Sequence, residues 1–151
     1  MGFSSSKTQN NEEKKKKIYG VLYNKYTNEI IYEGELINGK CDGNGKYIFD
    51  TGDFYIGEFK NGLREGNGTL YYKNKKMQYK GKWKNDKRNG SGRYYYENGE
   101  YFIGFWKDNI KVGKGELFNK NGITLFGGDV IYINTEDEKN YSIDLTNLIL
   151  K

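Results

Sequence analysis

A repeat of about 23 residues is the sequence feature that most constrains how this chain folds. Four copies begin with an aromatic residue, at Tyr32, Tyr55, Tyr79 and Phe102, and a degenerate fifth copy begins at Leu125. Glycine recurs at the third, twelfth and fourteenth positions of the four copies. The fifth position repeats as Leu36, Phe59, Trp83 and Trp106. Agreement at so many offsets excludes chance, and a period of this length is typical of stacked repeat architectures.

Each copy has the pattern of one β-hairpin. The first strand alternates aromatic and charged residues, as from Tyr79 to Trp83. An Asn-Gly or Asn-Asp pair follows, which suits a tight turn with positive φ. Because one hairpin cannot bury its aromatic face alone, we predict an all-β, single-sheet solenoid of stacked hairpins, elongated and twisted, with capping elements at both ends. We expect the third-position glycine to make room for an aromatic ring from the adjacent copy.

The repeat divides the chain into three predicted segments. Residues 1–17 form a disordered basic tail, and residues 18–133 form the solenoid, with partial copies near 18 and 125. Residues 134–151 form a C-terminal cap, in which 141–151 is either a strand or a short helix. Both forms would cover an exposed sheet edge.

Composition excludes several kinds of chemistry. The 151 residues include no histidine, so imidazole bases, Ser-His-Asp triads and His-bearing zinc sites cannot be built. One cysteine, Cys41, allows no internal disulfide and fits a reducing, cytoplasmic location. We therefore expect no enzyme, no cofactor and no metal site. The net charge of +5 includes +3 from residues 1–17, and the nearly neutral remainder argues against nucleic-acid binding.

The spacing of aromatic, Asn-Gly and Gly-x-Gly elements resembles the MORN repeat (membrane occupation and recognition nexus) over about residues 19–130. The closest copy is YKGKWKNDKRNGSGRYYY, from Tyr79. The resemblance implies a non-catalytic scaffold that docks a helical or extended segment of a protein partner near a membrane or the cytoskeleton. It also leaves open self-association as a homodimer, and a peripheral module that binds anionic phospholipids. The first copy departs from the family pattern at Leu36 and at Cys41-Asp42.

Two rows of side chains are candidate binding surfaces. The aromatic row is predicted either to be core or to line a partner groove, at Tyr55, Phe59, Tyr79, Trp83, Phe102 and Trp106. The basic row lies at or next to the tenth position, at Lys40, Arg64, Arg88 and Lys111. It is either a solvated face or a stripe that binds acidic lipid or peptide.

The N-terminus carries a third candidate. MGFSSSK has the form of an N-myristoylation signal at Gly2, although the bulky Phe3 is disfavoured next to it. If Gly2 is acylated, the run Lys14, Lys15, Lys16 and Lys17 supplies the second signal that one acyl chain needs for stable attachment.

Overall fold

One antiparallel sheet of ten strands makes up the fold in the computed structural model, which describes residues 16–130. Every strand pairs with the next strand in the sequence. The strands are β1 (Lys17–Tyr23), β2 (Ile30–Ile37), β3 (Lys40–Ile48), β4 (Phe54–Lys60), β5 (Leu63–Tyr71), β6 (Met77–Lys84), β7 (Lys87–Tyr95), β8 (Tyr101–Lys107), β9 (Ile110–Phe118) and β10 (Thr124–Val130). The predicted all-β sheet of successive hairpins is confirmed.

The described residues correct one predicted boundary. Lys17 is the first residue of β1 and its Nζ lies 3.1 Å from Glu35 Oε1, so it belongs to the sheet and not to the tail. Gly2, Lys14, Lys15 and the predicted cap at 134–151 lie outside the described residues, as do residues 131–133 of the predicted solenoid.

The tight turn inside each hairpin follows the prediction from sequence. Both turn residues have positive φ, 51° and 89° at Asn61 and Gly62, and 48° and 66° at Asn85 and Asp86. This geometry matches the twist of the flanking strands. The fourth turn uses Asp108 with Asn109, a pair that sequence analysis did not single out.

A bulge near the turn explains the twelfth-position glycine. In the second copy Gly57 pairs with Gly68 but Glu58 pairs with Glu65, so two extra residues stand on β5. One of them is Gly66, with a φ of 64°. Comparable register shifts occur between the paired strands of the other three hairpins. Glycine is favoured here because the backbone must adopt a left-handed conformation.

The third- and fourteenth-position glycines have a different cause, which is contact with a ring. Tyr55 lies flat over Gly57 and Gly68 of its own hairpin, and a methyl group added at either glycine would overlap it. Its hydroxyl donates a hydrogen bond of 3.1 Å to the carbonyl oxygen of Glu58. The expectation of a ring from the adjacent copy is therefore wrong, because the tyrosine runs along its own strand to reach that carbonyl.

These tyrosines belong to an aromatic ladder that fills the face we call the inner face. Fifth-position rings stand between first-position rings of two successive copies, with Phe59 5.3 Å from Tyr32 and 5.1 Å from Tyr55. The ladder continues through Trp83 and Trp106, all in edge-to-face contacts. Each such pair adds about 0.5–1.5 kcal/mol beyond burial. The core is thus a row of interlocked rings that ties one copy to the next.

Candidate functional site

The predicted partner groove coincides with this core. Its six residues are only 0–5% exposed, namely Tyr55, Phe59, Tyr79, Trp83, Phe102 and Trp106. The groove hypothesis is wrong at these positions, and the alternative that the row is core holds. Burial raises the pKa of Tyr79 to about 12, although the nearby Arg88 lowers it. The hydroxyl groups of Tyr55 and Tyr79 act as hydrogen-bond donors to strand carbonyls.

The predicted basic stripe lies mainly against the aromatic core. The guanidinium carbon of Arg64 is 4.3 Å from the Trp83 ring centroid, and that of Arg88 is 4.6 Å from Trp106. Lys111 Nζ is 4.9 Å from the Phe102 centroid. Arg88 and Lys111 are only 7% and 4% exposed, so they do not form a surface stripe. We call Arg64, Arg88 and Lys111 the cation ladder.

The cation ladder has a physical reason in the repeat register. The tenth position faces the same side of the sheet as the aromatic rows, so a long cation there lies over the rings. Such contacts are worth about 2 kcal/mol when desolvated. Lys40 occupies the ninth position instead and is exposed, while the tenth position of the first copy is Cys41. Lys40 therefore does not align with the other three cations.

Each arginine of the ladder also joins two neighbouring turns. Arg64 Nε donates to Asp86 Oδ1 at 3.0 Å, and its Nη2 donates to the Asp86 carbonyl at 2.8 Å. Arg88 makes similar contacts one copy later. Its backbone N–H donates to Asn109 Oδ1 at 2.9 Å, and its Nη2 donates to the Asn109 carbonyl at 3.4 Å. The arginines are therefore structural: they clamp the second hairpin to the third and the third to the fourth.

The opposite side, which we call the outer face, carries a groove that sequence reasoning missed. Five residues on neighbouring strands stand directly opposite one another in register, namely Ile56, Thr69, Lys80, Arg93 and Ile103. Together with Met77 and Tyr95 they line a shallow groove of about 700 Å³. A second concavity of about 770 Å³ shares Met77 and Tyr95 and extends toward the loops. We call the following seven residues the outer groove: Ile56, Thr69, Met77, Lys80, Arg93, Tyr95 and Ile103.

Apolar groups in the outer groove are open to solvent. Ile56 is 46% exposed and Met77 is 40% exposed, and Phe105 on the same face is 55% exposed. Large apolar side chains grouped on one surface are typical of a site of macromolecular contact. The signal was present in the sequence as Phe54-x-Ile56 and as Tyr101-x-Ile103-x-Phe105, which alternate with the residues of the inner face.

Comparison with known protein families agrees with this geometry. The MORN repeat matches the chain four times, at residues 32–54, 55–77, 79–101 and 102–124. This chain belongs to the MORN-repeat family. The four matches begin at the same residues as the copies read from the sequence.

Beside the groove, aromatic pairs stiffen the outer face of the MORN sheet. Phe54 stacks on Tyr71 with centroids 4.7 Å apart, and Tyr101 stacks on Phe118 at 4.9 Å. The guanidinium carbon of Arg93 lies 4.9 Å from the Tyr101 centroid. Arg93 is thus held in place by a ring, which keeps one cation of the outer groove at a fixed position.

Three further observations concern the described part of the chain. No helix long and apolar enough to cross a lipid bilayer occurs among residues 16–130. The same range holds no group of three or more His, Cys, Asp or Glu side chains placed to bind a metal ion. Burial raises the pKa of the Cys41 thiol, which makes it less reactive.

Proposed function

We propose that this MORN-repeat protein is a non-catalytic scaffold that binds a protein partner along the outer groove, near a membrane or the cytoskeleton. The observation that carries the proposal is the partly exposed apolar surface around Ile56, Met77 and Phe105. Between the second and fourth copies the rings of the inner face already pack on one another and on the cation ladder, which leaves less apolar surface open there. A repeat fold of this kind generally serves interaction and not catalysis.

The arrangement of charge indicates what kind of segment the outer groove accepts. Lys80 and Arg93 are paired across β6 and β7 in the middle of the groove, and isoleucines stand at both ends. A partner segment with apolar residues separated by an acidic residue complements this order. We expect such a segment to lie across the strands as a helix or an extended chain.

Charge reversal within the groove tests the proposal. Partners captured by the full-length chain are compared with those of Lys80→Glu/Arg93→Glu, and the affinity for a captured partner is then measured by calorimetry. We expect at least a tenfold loss of affinity, because two favourable contacts become repulsive. The matched control is Lys40→Glu, an exposed cation in the first hairpin outside the groove. Equal affinities for all three proteins would refute the proposal.

Vesicle flotation distinguishes the alternative of direct lipid binding. The full-length chain and a form that lacks residues 1–16 are mixed with vesicles of phosphatidylserine and phosphatidylcholine. Flotation that depends on residues 1–16 would assign lipid contact to the tail. Flotation of both forms that is abolished by Lys80→Glu/Arg93→Glu would make the outer face a lipid surface and would overturn the assignment to a protein partner.

A further inference from the structure

The cation ladder is interrupted in the first copy. Its tenth position is Cys41, where the next three copies have Arg64, Arg88 and Lys111. The eighth position also changes, because the second copy has Gly62 where the third and fourth copies have Asp86 and Asn109. Those two residues are the acceptors of the arginines of the ladder. The cation and the side-chain acceptor of the clamp are thus both missing at this junction, while the backbone carbonyl of Gly62 remains.

A cavity of about 180 Å³ lies at this junction. It is large enough to hold several water molecules or one planar side-chain head group. The lining residues are Tyr47, Phe49, Phe59, Gly62, Arg64 and Asp86. We call this cavity the ring pocket.

Three of the lining residues are the repeat equivalents of residues that contact Arg88, which lie two copies later in the sequence. Tyr47 corresponds to Tyr94 and Phe59 to Trp106, whose ring centroids are 5.4 Å and 4.6 Å from the Arg88 guanidinium carbon. Gly62 corresponds to the residue whose carbonyl accepts from Arg88 Nη2. The ring pocket therefore repeats the surroundings of Arg88 without a tenth-position cation from its own copy, and Arg64 borders it with its guanidinium carbon 5.4 Å from the Phe49 centroid.

We propose that the ring pocket binds the guanidinium group of an arginine side chain that a protein partner supplies. A guanidinium is planar, stacks on aromatic rings and is more weakly hydrated than an ammonium group, so it fits better than a lysine. The charge of Arg64 does not prevent this, because Asp86 neutralises it at 3.0 Å. The Arg64–Asp86 pair is therefore close to neutral as a whole, and contact with the rings is the main attraction that the pocket offers. This site is on the inner face and is independent of the outer groove.

Titration with Nα-acetyl-arginine amide, followed by NMR of the full-length chain, tests the proposal. We expect saturable shifts at Tyr47, Phe59 and Gly62, and an affinity at least threefold higher than for Nα-acetyl-lysine amide. Gly62→Asp should tighten arginine binding at least threefold, because aspartate is compatible with positive φ at the same position in Asp86. Absence of saturation at about 100 mM arginine amide, or equal affinity for both amides, would overturn the proposal.

Filling the pocket from within gives a second measurement that does not depend on weak binding. Cys41→Arg places a guanidinium at the tenth position, so it should abolish the arginine response and raise the melting temperature. The matched control is Lys40→Arg, which adds a guanidinium on an exposed neighbouring residue and should leave both quantities unchanged. A Cys41→Arg protein that melts below the wild type, or that still binds arginine amide with unchanged affinity, would show that the pocket does not accept this group.

Discussion

Adding one methyl group at a third-position glycine measures how tightly the aromatic ladder packs on the strands beneath it. At Gly81 an added Cβ would lie 2.5 Å from Gly92 Cα and 2.5 Å from Tyr79 Oη. Carbon atoms in ordinary contact are about 3.5–4.0 Å apart, so Gly81→Ala must separate these groups by about 1 Å. One of the two obstacles is the backbone of the paired strand, which cannot move without disturbing its ladder. We therefore expect a cost near the upper end of overpacking, about 3 kcal/mol.

The degenerate fifth copy offers a matched control. Gly127 has the third position by sequence, but a register shift between Thr124 and Phe126 pairs it with Glu116, so it faces the outer side of the sheet. An added Cβ there would have Glu116 Cγ as its nearest neighbour at 3.6 Å, an ordinary contact. Gly127→Ala should be neutral or should stabilise by up to about 1 kcal/mol, because alanine restricts the unfolded chain. The two substitutions are chemically identical, and Gly127→Ala measures the effect of alanine in a strand where no ring or backbone blocks the added methyl group.

Urea and thermal unfolding, followed by tryptophan fluorescence, provide the assay. Trp83 lies 5.2 Å from Tyr79 and so reports on this region. A cost of about 3 kcal/mol corresponds to a fall of roughly 10 °C in melting temperature for a chain of this size. If Gly81→Ala and Gly127→Ala have free energies of unfolding within about 0.5 kcal/mol of each other, the steric reasoning is refuted.

Two further predictions concern single polar groups. Trp83→Phe should lower the free energy of unfolding in urea by about 1 kcal/mol more than Trp106→Phe does. Trp83 Nε1 donates a 3.2 Å hydrogen bond to a strand carbonyl, whereas the buried Nε1 of Trp106 has no acceptor within residues 16–130. Equal losses for the two variants would contradict this. The N–H groups of Asn67 hold the pKa of Glu58 below its ordinary 4.5, so Glu58 stabilises the fold above that pH and this contribution is lost as pH falls through the lowered pKa. The stability difference between wild type and Glu58→Gln should therefore shrink between about pH 5 and pH 2, and a constant difference would contradict the assignment.

Much of the backbone could be predicted from the sequence because the repeat fixes it at several levels. Turn residues that tolerate positive φ, alternating strands and regularly spaced glycines all specify the same hairpin, as at Asn61-Gly62. The predicted starts of the four full copies are confirmed for the same reason, whereas the strand register places Phe126 and Gly128, one residue later than predicted, at the first and third positions of the fifth copy. The direction in which Tyr55 lies was not predictable, since spacing alone does not distinguish a ring of the same copy from one of its neighbour.

The candidate sites were harder to predict, because the face on which a side chain lies does not determine its exposure. A row of arginines and lysines suggests a solvated surface by composition, but Arg88 is 7% exposed. Its long side chain lies over the rings of its own copy and the next one. Lys and Arg side chains have long apolar stems that commonly cover such surfaces. A cation that recurs on the same face as an aromatic row therefore indicates contact with the rings.

Comparison of the four copies distinguishes repeat positions that the fold requires from positions on the outer face that vary. The first and third positions are nearly constant, whereas the fourth changes from Glu35 and Glu58 to Lys82 and Phe105. In the first two copies the carboxylate accepts a backbone N–H from the bulge. A lysine or phenylalanine side chain has no oxygen with which to accept that bond, so the third and fourth copies give up its stabilising contribution. The second copy keeps this bond although it lines the outer groove through Ile56 and Thr69, and Phe105 of the fourth copy is more than half exposed on the same face. All four hairpins form nevertheless, so the carboxylate bond is not required for the fold, and the fourth position can be acidic, basic or apolar on the outer face.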